Sequence, residues 1–356
     1  MVRGHAAGMR EWSEGMASIR FLSRAEVAAL MPDHKALVQV VEEGLAAHGR
    51  GDVVLPPKSH IDLDARVNGH FNILQGWVGA STGLAGVKVI SDYVDNWRHG
   101  LPSEIGVLAL MDPATGVPLA LMDATLITAA RTGAVTAAGA RHLAPRAPRV
   151  LGHIGARGSA FYNIACLAGL YPLEEVRISS KREETRTRLA QLVTERLGIK
   201  AVATASVEAT VVGADIVVEA TRLERPQLLI EDRWLKPGCL LVTYGWQMAT
   251  DPATVARAGK IVVDDWAQCC KGGQLYPLIQ DGRLTRERVH AEIGEIVAGK
   301  RPGRQSERET IVFWHRGFAI SDIVVGKHVL KAAAERGVGT VLPMFDTASD
   351  GVDEVL

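Results

Sequence analysis

A surplus of charge of either sign is missing from this chain. Its 356 residues carry 40 Lys+Arg against 40 Asp+Glu, a formal net charge of +0. That balance supplies no electrostatic footprint for nucleic acid or an anionic membrane, and neither is expected as a partner. Cysteine is scarce: Cys166, Cys239, Cys269 and Cys270 are the four. None falls in a CxxC pair, and the adjacent two are poorly spaced for chelation, so neither a disulfide framework nor a metal site is expected. The thiols read instead as small buried hydrophobes. Long apolar runs are also missing. The longest uncharged stretch, Val67 to Val87, is broken by Gly, Asn, Gln, Ser and Thr, short of the ~18 apolar residues of a membrane span. The N-terminal stretch has no apolar core of the signal-peptide kind. Residues 1–17 read as a disordered extension, with Met9 and Met16 as alternative starts, and the cytoplasm is the expected location.

Aromatic residues make up 5% of the chain, whereas glycine numbers 36. Many glycines with few aromatics suit tight turns and close helix–sheet packing. Near the start, Ser23-Arg24-Ala25-Glu26 is a capping box before a helical pattern, and Leu37 to Leu45 reads as a second helix. From 51 to 122, short apolar runs alternate with Gly, Pro and Asn, the pattern of a mostly antiparallel sheet with hairpins. Thr125 to Leu143 is Ala-rich and free of proline, a long helix, and Ala144-Pro145-Arg146-Ala147-Pro148 breaks the chain after it. From 149 to 300, apolar strands alternate with helices, which predicts a parallel sheet covered on both faces. Residues 310–356 are expected to return to helix, Ile320 to Glu335 above all.

Gly152-His153-Ile154-Gly155-Ala156-Arg157-Gly158-Ser159 joins the first of those strands to its helix. Glycine there lets the backbone approach a pyrophosphate at a helix N-terminus, which makes Gly155, Arg157, Gly158 and Ser159 candidate dinucleotide contacts. The usual middle glycine of the fingerprint is Arg157 in this chain. At the end of the following strand, NAD-binding proteins place an acidic residue on the ribose hydroxyls. Ser180-Lys181-Arg182 stands there instead, a set suited to a 2′-phosphate, so NADP(H) is favoured over NAD(H). Three further cations sit where the pattern does not need them: Lys58 after Pro56-Pro57, Lys88 in an apolar strand, and Arg131 in the Ala-rich helix. Buried cations are rare unless paired. Together they suggest a pocket for a carboxylate, with Arg131 also near the cofactor phosphates.

At these residues the chain resembles the ornithine cyclodeaminase/mu-crystallin family. The likeness spans about 20–340 and is strongest in Gly86-Val87-Lys88-Val89, Asn96, Gly100-Leu101-Pro102-Ser103, the turn from Asp112 to Gly116, Leu119 to Asp123, Ile127 to Ala134, and Gly317-Phe318-Ala319-Ile320-Ser321-Asp322. The resemblance implies an α/β fold: a doubly wound Rossmann domain (131–317) and an α+β substrate and dimerisation domain built from both chain ends (18–130 with 318–356). It implies a homodimer and NAD(P)-dependent chemistry at the α-carbon of an amino acid or its cyclic imine. Residue by residue, Lys88 matches a substrate lysine and Arg131, beside Thr132, a substrate and cofactor arginine. Lys58 stands where the family usually has an arginine. Ser103 matches a cofactor-contacting hydroxyl, Ala220-Thr221 and Tyr244-Gly245 the loops lining the nicotinamide, and Gly317 a glycine at the cofactor. Arg316, beside it, is a further candidate for the substrate.

One departure bears on mechanism. Where family dehydrogenases and cyclodeaminases carry an Asp after Tyr244-Gly245, this chain has Trp246-Gln247, and an amide is no general base. Gln247 remains to orient a substrate amine. Asp251, Asp92, His60 and His70 are the alternative bases, of which Asp251 is the one four residues on. Trp246 and Trp314 point to a bulky substrate, a filled pocket or plain packing. Three functions follow: an amino-acid dehydrogenase or ketimine reductase; ornithine cyclodeaminase, weakened by Gln247; and a non-catalytic cofactor-binding protein or accessory subunit of an amine oxidase.

Overall fold

A computed structural model describes residues 16–63, 67–79 and 81–346. Met9 and most of the expected N-terminal extension lie outside them, as do 347–356 of the expected substrate domain. Met16 and Ala17 do not belong to an extension: they open a strand, and Ala17 is buried. In chain order the elements are Met16–Leu22 (β1), Arg24–Leu30 (α1), His34–Arg50 (α2), Val53–Val54 (β2), Ser59–Asp62 (β3), Gly69–Val78 (β4), Leu84–Tyr93 (β5), Glu104–Met111 (β6), Pro118–Asp123 (β7) and Thr125–Leu143 (α3). Then come Val150–Ile154 (β8), Ala160–Ala168 (α4), Glu175–Ser179 (β9), Glu183–Leu197 (α5), Lys200–Ala203 (β10), Val207–Val211 (α6), Ile216–Glu219 (β11), Leu240–Thr243 (β12), Pro252–Arg257 (α7) and Lys260–Val263 (β13). Trp266–Cys269 (α8), Tyr276–Gln280 (α9), Ala291–Glu292 (β14), Ile293–Val297 (α10), Ile311–Trp314 (β15), Ala319–Arg336 (α11) and Thr340–Asp346 (β16) complete it.

The chain forms two compact units. Of the described residues, the first comprises those within 16–32, 51–128 and 318–346, the second 33–50 and 129–317. The first is built on a sheet ordered β16-β1-β7-β6-β5-β4-β2, with β3 also on β4. Its meander β4-β5-β6-β7 is antiparallel, and β1 joins β7 in parallel. In β5 buried and half-buried residues alternate strictly, because successive side chains point to opposite faces. α11 covers the face of Gly86 and Leu110, against which Ile323 and Gly326 pack. The capping box forms as expected: Ser23 N–H donates to Glu26 Oε2 at 2.8 Å, and Glu26 N–H to Ser23 Oγ.

The second unit is a doubly wound sheet, all parallel, ordered β10-β9-β8-β11-β12-β15-β13-β14. The strands β11, β12, β13 and β15 are buried throughout, as sheets covered on both faces require. Two strands depart from the helix expected after 310. β15, only four residues long, slots between β12 and β13, and β16 pairs antiparallel with β1. Helix α2, placed with the substrate domain on sequence, groups with the second unit. Its Gly49 meets Gly294 of α10 so closely that a Cβ would lie 1.8 Å from the Gly294 carbonyl. The cysteines are free; Cys166, Cys239 and Cys269 are buried, and burial pushes the Cys166 and Cys239 thiols up to about 12. Among the described residues, no helix is long and apolar enough to cross a membrane.

Candidate functional site

In the second unit the strand order reverses between β8 and β11, and ligands of such sheets bind outside the carboxyl ends of the strands at that reversal. Gly155 has φ +105°, and a Cβ there would lie 2.7 Å from the Ala220 carbonyl at the end of β11. The backbone can take this path only as glycine. Gly158 has nothing within 4 Å of a would-be Cβ, and Arg157 is exposed rather than packed into the turn. Ser159 is the N-cap of α4. This open cradle over a helix start fits the pyrophosphate of a dinucleotide.

A polar chain links the cradle to β12. His153 is fully buried, and burial holds it neutral, down to about 4. Its Nδ1 lies 2.8 Å from the Gly155 carbonyl, which assigns the proton to Nδ1 and makes Nε2 the acceptor of an Asn163 amide hydrogen at 3.2 Å. Asn163 donates also to the Tyr244 hydroxyl, which lies 2.8 Å from Ser159 Oγ. The Tyr244 ring stacks on His315 at 4.6 Å. Burial, and then the Arg131 charge, push His315 down to about 3, and its Nε2 meets Thr136 Oγ1 at 3.1 Å.

Glu219 ends β11, wholly buried. Its carboxylate accepts from Thr221 N–H, Thr221 Oγ1, Thr243 Oγ1, Gly245 N–H and Gln274 Nε2. Gln274 in turn accepts from Ala249 N–H at 2.9 Å. One carboxylate thus ties the Ala220-Thr221 loop to the Tyr244-Gly245 loop, while burial raises it to about 7 against those donors. Arg131 is buried, and Gly317 (φ +77°) lies so close that a Cβ would be 2.5 Å from Arg131 Nη1. Glycine at 317 is therefore what admits the guanidinium beside the loop after β15. Thr132, next on α3, is half-buried.

Several candidates have structural occupations. Arg316 donates to the Gln268 carbonyl, its backbone N–H to Asp264 Oδ2 at 2.7 Å, and its side chain packs on Gly273. It holds the loop after α8. Asp251 caps α7, accepting from Ala253 N–H at 2.9 Å. Trp314 lies in β15 within the core, whereas Trp246 is exposed. Gln247 is half-buried in the bend after Trp246. At the end of β9, Ser180 Oγ bonds the Arg182 carbonyl and Thr185 Oγ1, both at 2.8 Å. Lys181 and Arg182 are exposed at the start of α5.

In the first unit, register gathers a second set. Lys88 is buried mid-strand in β5; its ammonium donates to Asp322 Oδ1 of α11 at 2.8 Å and to Thr128 Oγ1 at 3.1 Å. Asp92, two pleats on and buried, shares its face. Its partners across the sheet are His70 on β4 and Glu104 on β6, and His60 of β3 pairs with Asn72. The rings of His60 and His70 lie 6.2 Å apart. Lys58 is half-buried just before β3. Ser103 follows a loop in which Asn96 Nδ2 donates to the Pro102 carbonyl at 2.7 Å, and its own carbonyl accepts from Tyr93 N–H.

Sequence reasoning did not single out Glu219, Asn163, His315, Gln274, Asn72 or Glu104, and it used Asp322 only as part of a motif. Glu219 had a signal available: a lone carboxylate closing the apolar run Ile216-Val217-Val218.

Comparison with known proteins gives the family of the chain and its structural neighbours. A family model described as Ornithine cyclodeaminase/mu-crystallin family matches residues 19–337. The chain is 30% identical over 330 residues to an alanine dehydrogenase of Archaeoglobus fulgidus, covering 91% of this chain and 98% of the relative. The structure of Thermococcus litoralis Delta(1)-pyrroline-2-carboxylate reductase, in complex with NADH and L-proline, superimposes with a TM-score of 0.85 at 29% identity, over 90% of this chain and 99% of that one. An archaeal alanine dehydrogenase dimer with bound NAD gives 0.83 at 28% identity, over 92% and 100%.

Proposed function

Given that the chain belongs to the ornithine cyclodeaminase/mu-crystallin family, we propose that it is a nicotinamide-dependent oxidoreductase acting at the α-carbon of an amino acid or its imine. The observation that carries this reading is the open glycine cradle at the strand-order reversal, where Gly155, Gly158 and Ser159 would hold the pyrophosphate. The relatives named above, an alanine dehydrogenase and a pyrroline carboxylate reductase, support the substrate class. Lys181 and Arg182 support NADP(H), whereas the solved relatives named above hold NADH and NAD.

When bound, the nicotinamide supplies or takes the hydride. The protein must then hold the substrate carboxylate and move one proton on nitrogen. Lys88 and Lys58 are the proposed carboxylate cations of the first unit, and Arg131 serves the cofactor side. Gln247 cannot take a proton at neutral pH, and Asp251 is engaged as a helix cap. On the polar face of the first unit's sheet, Asp92 is buried in the strand of Lys88, paired with His70 on one side and Glu104 on the other. We assign it the base: it accepts the amine proton as the amino acid is oxidised and returns it to nitrogen as an imine is reduced.

A homodimer fits the outer face of the first unit's sheet. There Phe21, Ile105 and Val107 are 41%, 39% and 45% exposed, and register places them on one face with Leu121, Ala109, Val89 and Val87. A contiguous apolar face of this kind marks an interface.

The test is an NAD(P)H fluorescence titration followed by turnover on a panel of amino acids and cyclic imines, with product analysis. Binding with a change at the nicotinamide band is expected, and Asp92→Asn should abolish turnover while cofactor affinity stays. Consumption of ornithine to proline with no net cofactor change would replace this reading with cyclodeamination. Binding without any turnover would replace it with a non-catalytic role.

A further inference from the structure

We propose that His48, Asp265 and Glu292 form a binding site for a divalent metal ion of the zinc type, one that clips helix α2 to α8 and β14 within the second unit. The proposal stands apart from the oxidoreductase reading and needs no part of it. The three residues come from separate places in the chain: the last turn of α2, the N-cap of α8 and the end of β14. Their ligand atoms lie within 4.8 Å of one another. His48 Nε2 is 3.3 Å from Asp265 Oδ2 and 3.7 Å from Glu292 Oε2. The side chains are only 9%, 12% and 21% exposed.

The distances bear on two uses of such a cluster. A charge-assisted hydrogen bond from an imidazolium to a carboxylate closes to about 2.7–2.9 Å; His48 Nε2 and Asp265 Oδ2 make only a long one at 3.3 Å, and Glu292 Oε2 stands at 3.7 Å. Ligands about 2.0–2.2 Å from a tetrahedral zinc stand about 3.3–3.6 Å apart along each edge, which is what the two edges at His48 Nε2 approach. The two carboxylates are also aimed. Gln268 N–H holds Asp265 Oδ1 at 2.8 Å, and Trp266 N–H holds Glu292 Oε1 at 3.0 Å. Each turns its second oxygen toward the imidazole, Glu292 while its side chain also takes part in the capping box of α10 with Glu295, and fixed donors of this kind orient metal ligands. With the imidazole deprotonated on binding, two carboxylates balance a divalent ion, and the neighbouring Asp264 accepts backbone N–H groups of Asp265, Arg316 and Gly317. One nitrogen and two oxygens leave a fourth position for water. The clip is mechanical, because His48 and Asp265 are 217 residues apart in the chain.

The experiment uses the full chain, stripped with chelator and dialysed, titrated with CoCl2 and ZnCl2. One equivalent of Co2+ is expected to give the visible d–d bands of a tetrahedral site, displaced by Zn2+, with a higher melting temperature and slower hydrogen exchange in α2. Glu292→Gln keeps a carbonyl oxygen for the Trp266 N–H and should weaken binding about tenfold or more. His48→Gln is the second variant, read by the same spectrum. The proposal is overturned if neither ion changes the spectrum or the melting temperature, the cluster then being an imidazolium ion pair only. It is equally overturned if binding persists unchanged in both variants, or if cobalt shows the charge-transfer band of a thiolate ligand.

Discussion

The two units prepare polar chemistry in opposite ways. The second offers mostly backbone and neutral groups at strand ends: a glycine cradle, two histidines held neutral, a tyrosine hydroxyl and one carboxylate tied by five donors. The first offers charged side chains projected from a sheet face: Lys88 against Asp322, with Asp92 and Glu104 beyond. A dinucleotide is large and is recognised mainly by backbone approach. A small amino acid must be held and deprotonated by side chains. The difference teaches that cofactor binding is written locally in a loop, whereas substrate chemistry is written in register.

Removing charge from the first unit should have the largest effect. Lys88→Met leaves Asp322 buried with its cation gone, which costs about 3–5 kcal/mol in typical buried pairs. The urea midpoint reports it. The double change Lys88→Met with Asp322→Leu should regain much of that stability, since apolar replacements of buried pairs are often neutral, yet should not regain turnover. Recovery of both would show that Lys88 is only packing, and the contrast between the units would collapse.

A backbone change should be the corresponding lesion in the second unit. Gly155→Ala forces a Cβ toward the Ala220 carbonyl at a φ of +105°, a strain of about 1–3 kcal/mol. Cofactor affinity should fall with stability, because the same turn does both. An unaffected NAD(P)H titration would mean that the cradle is not where the dinucleotide lies.

The neutral histidines give the second unit its own acid sensitivity. His153 and His315 titrate at about 4 and about 3 in the folded chain, against 6.5 when unfolded. Their folded values are depressed, so their contribution is complete above pH 6.5. As pH falls below 6.5 the unfolded chain takes up protons that the folded one refuses, and each histidine removes about 1.4 kcal/mol per pH unit. His315→Gln should flatten the fall in stability between pH 6.5 and 4. A slope equal to that of the unsubstituted protein would remove His315 from the account.

The same difference explains what could be read before the structure. The Ala-rich helix α3, the β8–α4 turn and the alternating strands were legible because each is a local pattern. So were Lys88 and Arg131, charges in apolar company. Asp92, Glu104 and Asn72 were not seen as one set, because only pairing across three strands brings them to one face. Arg316 looked like a ligand for substrate because a loop cation beside Gly317 is indistinguishable on paper from one that holds a neighbouring loop. β15 escaped because four apolar residues can serve a helix or a strand, and only the slot between β12 and β13 decides.

The smallest expected effect concerns the end of β9, where the second unit departs from its habit of using backbone. Lys181 and Arg182 are exposed cations, and an exposed pair with a phosphate is worth only about 0.2–1 kcal/mol. Ser180 cannot add freely to it while its hydroxyl bonds the Arg182 carbonyl and Thr185. Arg182→Asp should therefore lower the affinity for NADPH relative to NADH by no more than about tenfold, since repulsion of a 2′-phosphate adds to the lost attraction. The ratio of the two dissociation constants, measured at low salt, reads this directly. A ratio that does not move would place the choice of cofactor on groups other than these cations, leaving Arg131 as the charged side chain proposed for the cofactor in the second unit.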